Sequence, residues 1–202
     1  MHELTLGQTF HEMWDLSRDY ETRRANFESL VDRCIERAAA GEQCEFHDCR
    51  DYPIAKFVCA LQDDAYAPTL ARVFSAFLQA GLLDPNKPLQ TSVASLPNYK
   101  SMHGDLPLVH AVLKGNIHAA ELLVLHGADT AARVSDNVGG FLGEDFFDFV
   151  RLHFGETHYR RPTPNERAAA AARLLQAAMT CRLSDSPAPQ AASSPARRRR
   201  SV

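Results

Sequence analysis

Apolar residues recur at intervals of three and four along most of this chain, the spacing that keeps them on one face of a helix. Eight such segments can be traced, with first apolar residues at Leu6, Phe27, Ile54, Leu70, Leu108, Ile117, Phe146 and Leu174. Three of the segments run into a glycine, at Gly41, Gly81 and Gly127. Glycine closes a helix well because it adopts the left-handed conformation without a Cβ penalty. The pattern predicts eight helices grouped in four pairs.

The three glycines are 40 and 46 residues apart, which is the repeat length of helix-pair arrays. In such arrays each pair buries its apolar face on the next pair. We therefore predict an all-α fold, an α-solenoid of about four stacked pairs, over residues 1–183. The last helix has its own start signal, because Thr163, Pro164 and Glu166 form the pattern of a capping box with proline at the first helical position.

Residues 184–202 differ in composition from the rest of the chain. They consist of small residues and prolines, followed by four arginines, Arg197, Arg198, Arg199 and Arg200. No large apolar residue precedes the final Val202, so the segment cannot bury enough surface to offset its ordering entropy. We predict a disordered tail. The arginine run is either a nuclear-import or nucleic-acid patch or a solubilising end, and the sequence leaves both open.

The stretch GDLPLVHAVLKGNIHAAELLVLHGADTAA, residues 104–132, resembles the ankyrin repeat. The matching residues are Gly104, Pro107, Leu108, Ala111, Gly115, Leu122, Leu123, Gly127, Ala128 and Asp129. The resemblance implies that Pro107 begins a first helix, that Asn116 caps a second, and that Leu123 packs between repeats. Flanking segments at 52–86 and 136–154 match the repeat more loosely.

Two positions depart from the ankyrin pattern. Leu106 stands where the family has threonine, and Val109 stands where it has histidine. Those polar residues normally tie a repeat to its neighbour through hydrogen bonds. Their replacement predicts a locally more apolar, less standard repeat.

The charge of −3 is unevenly distributed along the chain. Residues 1–67 hold 7 basic and 14 acidic residues, which argues against a broad nucleic-acid surface on the folded part. No uninterrupted apolar run is long enough to span a membrane, and the N-terminus lacks the pattern of a secretory signal. Five cysteines, an odd number, favour a reducing compartment. We expect a cytoplasmic protein with no membrane association, or a nuclear one if the arginine run is an import signal.

Cys44, His47 and Cys49 are the one cluster of metal-ligand types at short spacing. Zinc binds cysteine and histidine, but the Cys-x2-His-x-Cys spacing lacks the paired Cys-x2-Cys units of most zinc sites. Free thiols near a loop are therefore favoured over a zinc-stabilised domain or a metal-dependent enzyme. Neither a Gly-x-Ser-x-Gly motif nor a phosphate loop occurs in the sequence. We expect no metal, no cofactor and no catalysis.

The ankyrin resemblance implies a protein–protein interaction module that holds a partner protein through its concave face and its projecting turns. The residues expected there are Asn98, Tyr99, Lys100, Met102, His103, Asp105, His110, Lys114, Arg133, Ser135, Asp136 and Asn137. Tyr, Met and Arg among them are types that interfaces favour. A bacterial effector or a toxin-neutralising protein is a narrower form of the same hypothesis.

Overall fold

The computed structural model describes residues 4–43, 54, 57–58, 66–89, 106–131, 145–156 and 161–184. The helices are α1 Leu6–Leu16, α2 Tyr20–Ala39, α3 Ala67–Gln79, α4 Pro107–Lys114, α5 Ile117–Leu125, α6 Phe146–His153 and α7 Pro164–Ser184, with a 3-10 turn at Ser17–Asp19 between α1 and α2. Residues 54, 57 and 58 are helical as well. No strand occurs in these ranges, so the predicted all-α class is confirmed for them. Of the predicted tail, residues 184–202, Ser184 is the last residue of α7, and residues 185–202 lie outside the described residues.

The helix boundaries follow local signals. Thr163 and Glu166 form the predicted capping box, because the Glu166 amide donates to Thr163 Oγ1 at 3.3 Å and the Thr163 amide donates to Glu166 Oε2 at 2.7 Å. Thr5 and Gln8 make the same box at the start of α1, a feature that the sequence analysis did not single out. At the other ends, the predicted glycines after α2, α3 and α5 have φ values of 77°, 70° and 86°.

The second helices of the four predicted pairs lie side by side in chain order. Helix α2 packs on α3, α3 on α5, and α5 on α7. Helices α1, α4 and α6 pack on α2, α5 and α7 respectively, and α4 also contacts α6. The ring of Phe57, in the short helical stretch before α3, lies 5.6 Å from that of Phe10 in α1. The helices therefore form two layers with the apolar core between them.

Aromatic side chains fill the N-terminal half of this core. Phe57 stacks on Phe74 with ring centroids 4.8 Å apart, and Phe10 lies 5.6 Å from Phe77. From there one continuous set of buried residues extends through α4 and α5 to Ala178 in α7. Within the described ranges, no helix combines the length and the apolar character needed to cross a membrane.

In α7, only part of the predicted apolar face is buried. Leu174 and Ala178 are buried as expected, whereas Leu175 and Met179 are 40% and 59% exposed. The reason is that α7 is the last helix of its layer and is covered by α5 and α6 on one side alone among the described elements.

Candidate functional site

A hydrogen-bonded connection joins the chain after α3 to the chain after α5. Asn86 Nδ2 donates to the carbonyl of Gly127 at 3.0 Å, and Asn86 Oδ1 accepts from the Asp129 amide at 2.7 Å. Asp84 Oδ1 accepts from the Asn86 amide, and Asp129 Oδ1 accepts from the Ala131 amide, each at 2.8 Å. We call Asp84, Asn86, Gly127 and Asp129 the turn bridge. It fixes two neighbouring chain segments side by side where they leave the helical core.

Most of the predicted partner-binding residues lie in the segments that follow the turn bridge. Those outside the described residues are Asn98, Tyr99, Lys100, Met102, His103, Asp105, Arg133, Ser135, Asp136 and Asn137. In the sequence the first group begins 12 residues after Asn86 and the second begins 4 residues after Asp129.

His110 is a correction to the predicted set. It is 2% exposed in α4, so its side chain cannot contact a partner in this conformation. Its Nε2 atom has no hydrogen-bond partner within the part of the chain that the structure describes. Burial, and secondarily the charge of Lys114, lowers the pKa of His110 from 6.5 to about 4. Lys114 is half-buried at the end of the same helix and keeps its place among the candidates.

Hydrogen bonds link the stretch from α4 to the start of α5 to the helical elements on both sides. Asn116 accepts from the Ala119 amide at 3.0 Å, as predicted for a cap, and its side-chain amide donates to the carbonyl of Val58. On the other side, the Gly155 amide donates to the carbonyl of Val112 at 2.8 Å. Val109 is 5% exposed and Leu106 is partly buried, and both pack against the apolar core.

An open groove of ≈ 510 Å³ runs along the outer surface of α2 and α3. It is lined by Ile35, Pro68, Ala71, Arg72, Ser75, Ala76 and Gln79. Arg72 Nη2 lies 2.8 Å from Asp32 Oδ1, which links α3 to α2. Ser75, which also lines the groove, is hydrogen-bonded to His126 at the end of α5. Arg72 and Ser75 therefore both take part in contacts between helices.

The Ser75–His126 pair has the residue types of a hydrolytic dyad. Ser75 Oγ lies 2.9 Å from His126 Nε2, and burial lowers the pKa of His126. Ser75 stands in the interior of α3, where the backbone amides are already bonded within the helix. Among the described residues, the pair links α3 to the residue that follows α5, and no backbone amide in the interior of α3 is free to stabilise an oxyanion.

The predicted cysteine–histidine cluster, Cys44, His47 and Cys49, lies outside the described residues. Among the residues that are described, no three His, Cys, Asp or Glu side chains come together as a metal site. Cys34 is fully buried in α2 and packs as a small apolar residue, as its position in an apolar stripe predicted.

Comparisons of the chain with protein-family models, with curated proteins and with solved structures found no match. The candidate site therefore rests on the chain's own residues. Sequence reasoning missed the turn bridge, although the signal was present. Both turns begin with glycine and carry an acidic residue, Asp84 in one and Asp129 in the other, and short Asp and Asn side chains are typical of hydrogen-bonded turns.

Proposed function

We propose that residues 1–183 form a solenoid of four ankyrin-like helix pairs, and that this solenoid binds a partner protein along the edge where the turns emerge. The packing of α2 on α3, α3 on α5 and α5 on α7 supports the solenoid, since successive pairs pack on one another in such an array. The resemblance of residues 104–132 to the ankyrin repeat supports the particular kind of pair.

The turn bridge is the observation that carries the proposal. Asn86 and Asp129 are exposed, so their hydrogen bonds compete with water and contribute little to global stability. Their main consequence is geometric, because they hold together the two turns from which the chain continues to the predicted binding residues. A fixed pair of turns lowers the ordering entropy that a partner must offset.

Two side chains of these segments are the best candidates for anchors. Tyr99 and Arg133 belong to the residue types that dominate binding energies at interfaces. The acidic residues of the first third favour a partner with a basic surface, whose association would be faster at low ionic strength.

The test is affinity capture of a partner, followed by titration of the purified partner against variants. We expect Tyr99→Ala or Arg133→Ala to weaken binding by more than about fivefold while the melting curve is unchanged. Asn86→Ala should weaken binding less, by loosening the turn bridge. Asn26→Ala, at an exposed position on α2, is the matched control and should bind like the wild type. Wild-type binding by both anchor variants, with loss of binding on deletion of residues 185–202, would assign the function to the tail instead.

The alternatives from the sequence remain predictions. Zinc at Cys44, His47 and Cys49 would give one metal per chain by elemental analysis and a lower melting temperature after chelation. We expect neither result, because the spacing of the three residues is poor for tetrahedral zinc. A bacterial effector or toxin-neutralising role would be decided by the identity of the captured partner.

A further inference from the structure

The solvent side of α7 carries a continuous apolar face. Ala168, Ala172, Leu175 and Met179 are all exposed and follow one another at intervals of four, three and four residues. This spacing places them on one side of the helix. We call these four residues the α7 outer face. Its two large side chains are among the most exposed apolar residues of the described chain, with Leu175 at 40% and Met179 at 59%.

The α7 outer face lacks the charges of an ordinary solvated helix surface. None of its four residues is charged, and the flanking Arg173 is engaged in an ion pair with Glu121 of α5. Helix α2, which belongs to the same layer and has 20 residues against the 21 of α7, shows the contrast. Its exposed positions include Glu21, Arg23, Arg24, Asp32, Arg33 and Glu36. Contiguous exposed apolar surface is a feature of interaction sites.

The sequence of the α7 outer face indicates which partner fits it. The midpoint between Ala168 and Met179 coincides with the midpoint between Ala172 and Leu175, and both fall between residues 173 and 174. If a second α7 lay antiparallel across this point, each alanine would face a large side chain, Ala168 opposite Met179 and Ala172 opposite Leu175. Small residues opposite large ones are what close helix packing requires.

The position of this point along the helix adds a second argument. Helix α7 runs from Pro164 to Ser184, so its centre is at residue 174. Two copies related by a two-fold axis at the midpoint of the face would overlap over nearly the full helix length of about 31 Å. The antiparallel arrangement also sets each positive helix N-terminus beside a negative C-terminus.

We propose that the α7 outer face is a homodimer interface, in which α7 packs antiparallel on α7 of a second copy of this chain. The interface is isologous, so every contact occurs twice. A standard interface buries about 800 Å² of surface on each partner, and a single pair of helices buries less. The dimer is therefore weak, and its population depends on concentration. The proposal does not depend on the partner-binding function. If both hold, a dimer would present two partner-binding surfaces and bind a repetitive partner with higher avidity.

Sedimentation velocity of the full chain over micromolar to millimolar concentrations tests the proposal. The wild type should shift from monomer to dimer. Ala172→Glu and Leu175→Lys should each weaken dimerisation by at least about tenfold, because each buries two unpaired charges. Ala25→Glu, the same change at an exposed position of α2, should dimerise like the wild type. Circular dichroism melting shows whether each variant is folded.

Mixing the two variants tests the antiparallel register. In a mixed dimer Glu at position 172 of one chain faces Lys at position 175 of the other, so an equimolar mixture of Ala172→Glu and Leu175→Lys should dimerise better than either alone. The proposal is overturned if the wild type is a monomer at every concentration, which would assign the face to another protein or to solvent. It is also overturned if a dimer forms that Ala172→Glu leaves intact, or if mixing restores nothing.

Discussion

The side-chain amide of Asn116 donates a hydrogen bond to the main-chain carbonyl of Val58, which lies 58 residues earlier in the chain. The same side chain caps α5 by accepting from Ala119. Asn116 is 1% exposed, so neither bond can be replaced by bulk water. One residue therefore both begins a helix and ties it to the preceding pair.

Replacement of Asn116 should lower the stability of the protein more than the small size of its side chain suggests. We expect Asn116→Ala to lower the free energy of unfolding by about 2–4 kcal/mol, because it removes a cap and leaves the buried Val58 carbonyl unpaired. Asn26→Ala on the exposed side of α2 should change it by less than about 0.5 kcal/mol. Urea denaturation measures both values, and equal effects would show that the link to Val58 does not contribute.

His110 makes stability depend on pH. Its pKa is about 4 in the folded protein and 6.5 in the unfolded chain, so the unfolded chain binds the proton more readily. The contribution of neutral His110 is therefore complete above pH 6.5 and is lost as the pH falls towards about 4, by on the order of 3 kcal/mol.

The variant His110→Leu isolates this effect. It removes the titrating group and the unpaired Nε2 atom, so its unfolding free energy should fall less between pH 6.5 and pH 4 than that of the wild type. Asn26→Ala, at an exposed position of α2 that carries no titratable group, should keep the wild-type dependence. Parallel pH profiles for the wild type and His110→Leu would contradict the assignment.

Leu123 and Leu125 offer a matched pair on one helix. Leu123 is fully buried between helices, whereas Leu125 is 41% exposed. We expect Leu123→Ala to cost about 2–5 kcal/mol, since it removes buried methyl groups and leaves a cavity. Leu125→Ala should cost much less. Thermal melts of the two variants test this, and a lower melting temperature for Leu125→Ala than for Leu123→Ala would contradict the prediction.

Alanine substitutions at Gly155 and Gly127 can distinguish the cost of a left-handed backbone from the cost of steric overlap. Both have positive φ, 71° and 86°, but a Cβ at Gly155 would lie 2.5 Å from Pro162 Cγ, and one at Gly127 would meet nothing within 4 Å. Gly127→Ala should therefore cost about 1–2 kcal/mol from the left-handed backbone alone. Gly155→Ala should cost about 1–3 kcal/mol more, because Pro162 must shift. Equal decreases in the free energy of unfolding, measured by denaturant titration, would show that Pro162 moves away from the added Cβ at no cost.

The local features of the fold were readable in advance, because they depend on residues a few positions apart. The spacing of Leu70, Val73, Phe74 and Phe77 predicted a helix and its buried face, and all four are buried in α3. Gly81 predicted where that helix ends, and Thr163 predicted where α7 begins. Capping and periodicity concern neighbours within one or two turns, so the amino-acid order carries them directly.

By itself, then, the sequence determined the all-helical class, the glycine stops and the start of α7 for the described residues. It did not determine the start of α2, which begins at Tyr20, seven residues before Phe27, the first apolar residue traced for that helix. Only the tertiary structure decided that His110 is buried, that Asn116 reaches Val58, that Asn86 bridges to Asp129, and that Leu175 and Met179 stay uncovered. The reason is that each of these outcomes depends on which other helix or turn lies opposite the residue. An apolar or amide side chain has the same local pattern whether or not a distant element arrives to cover or bond it.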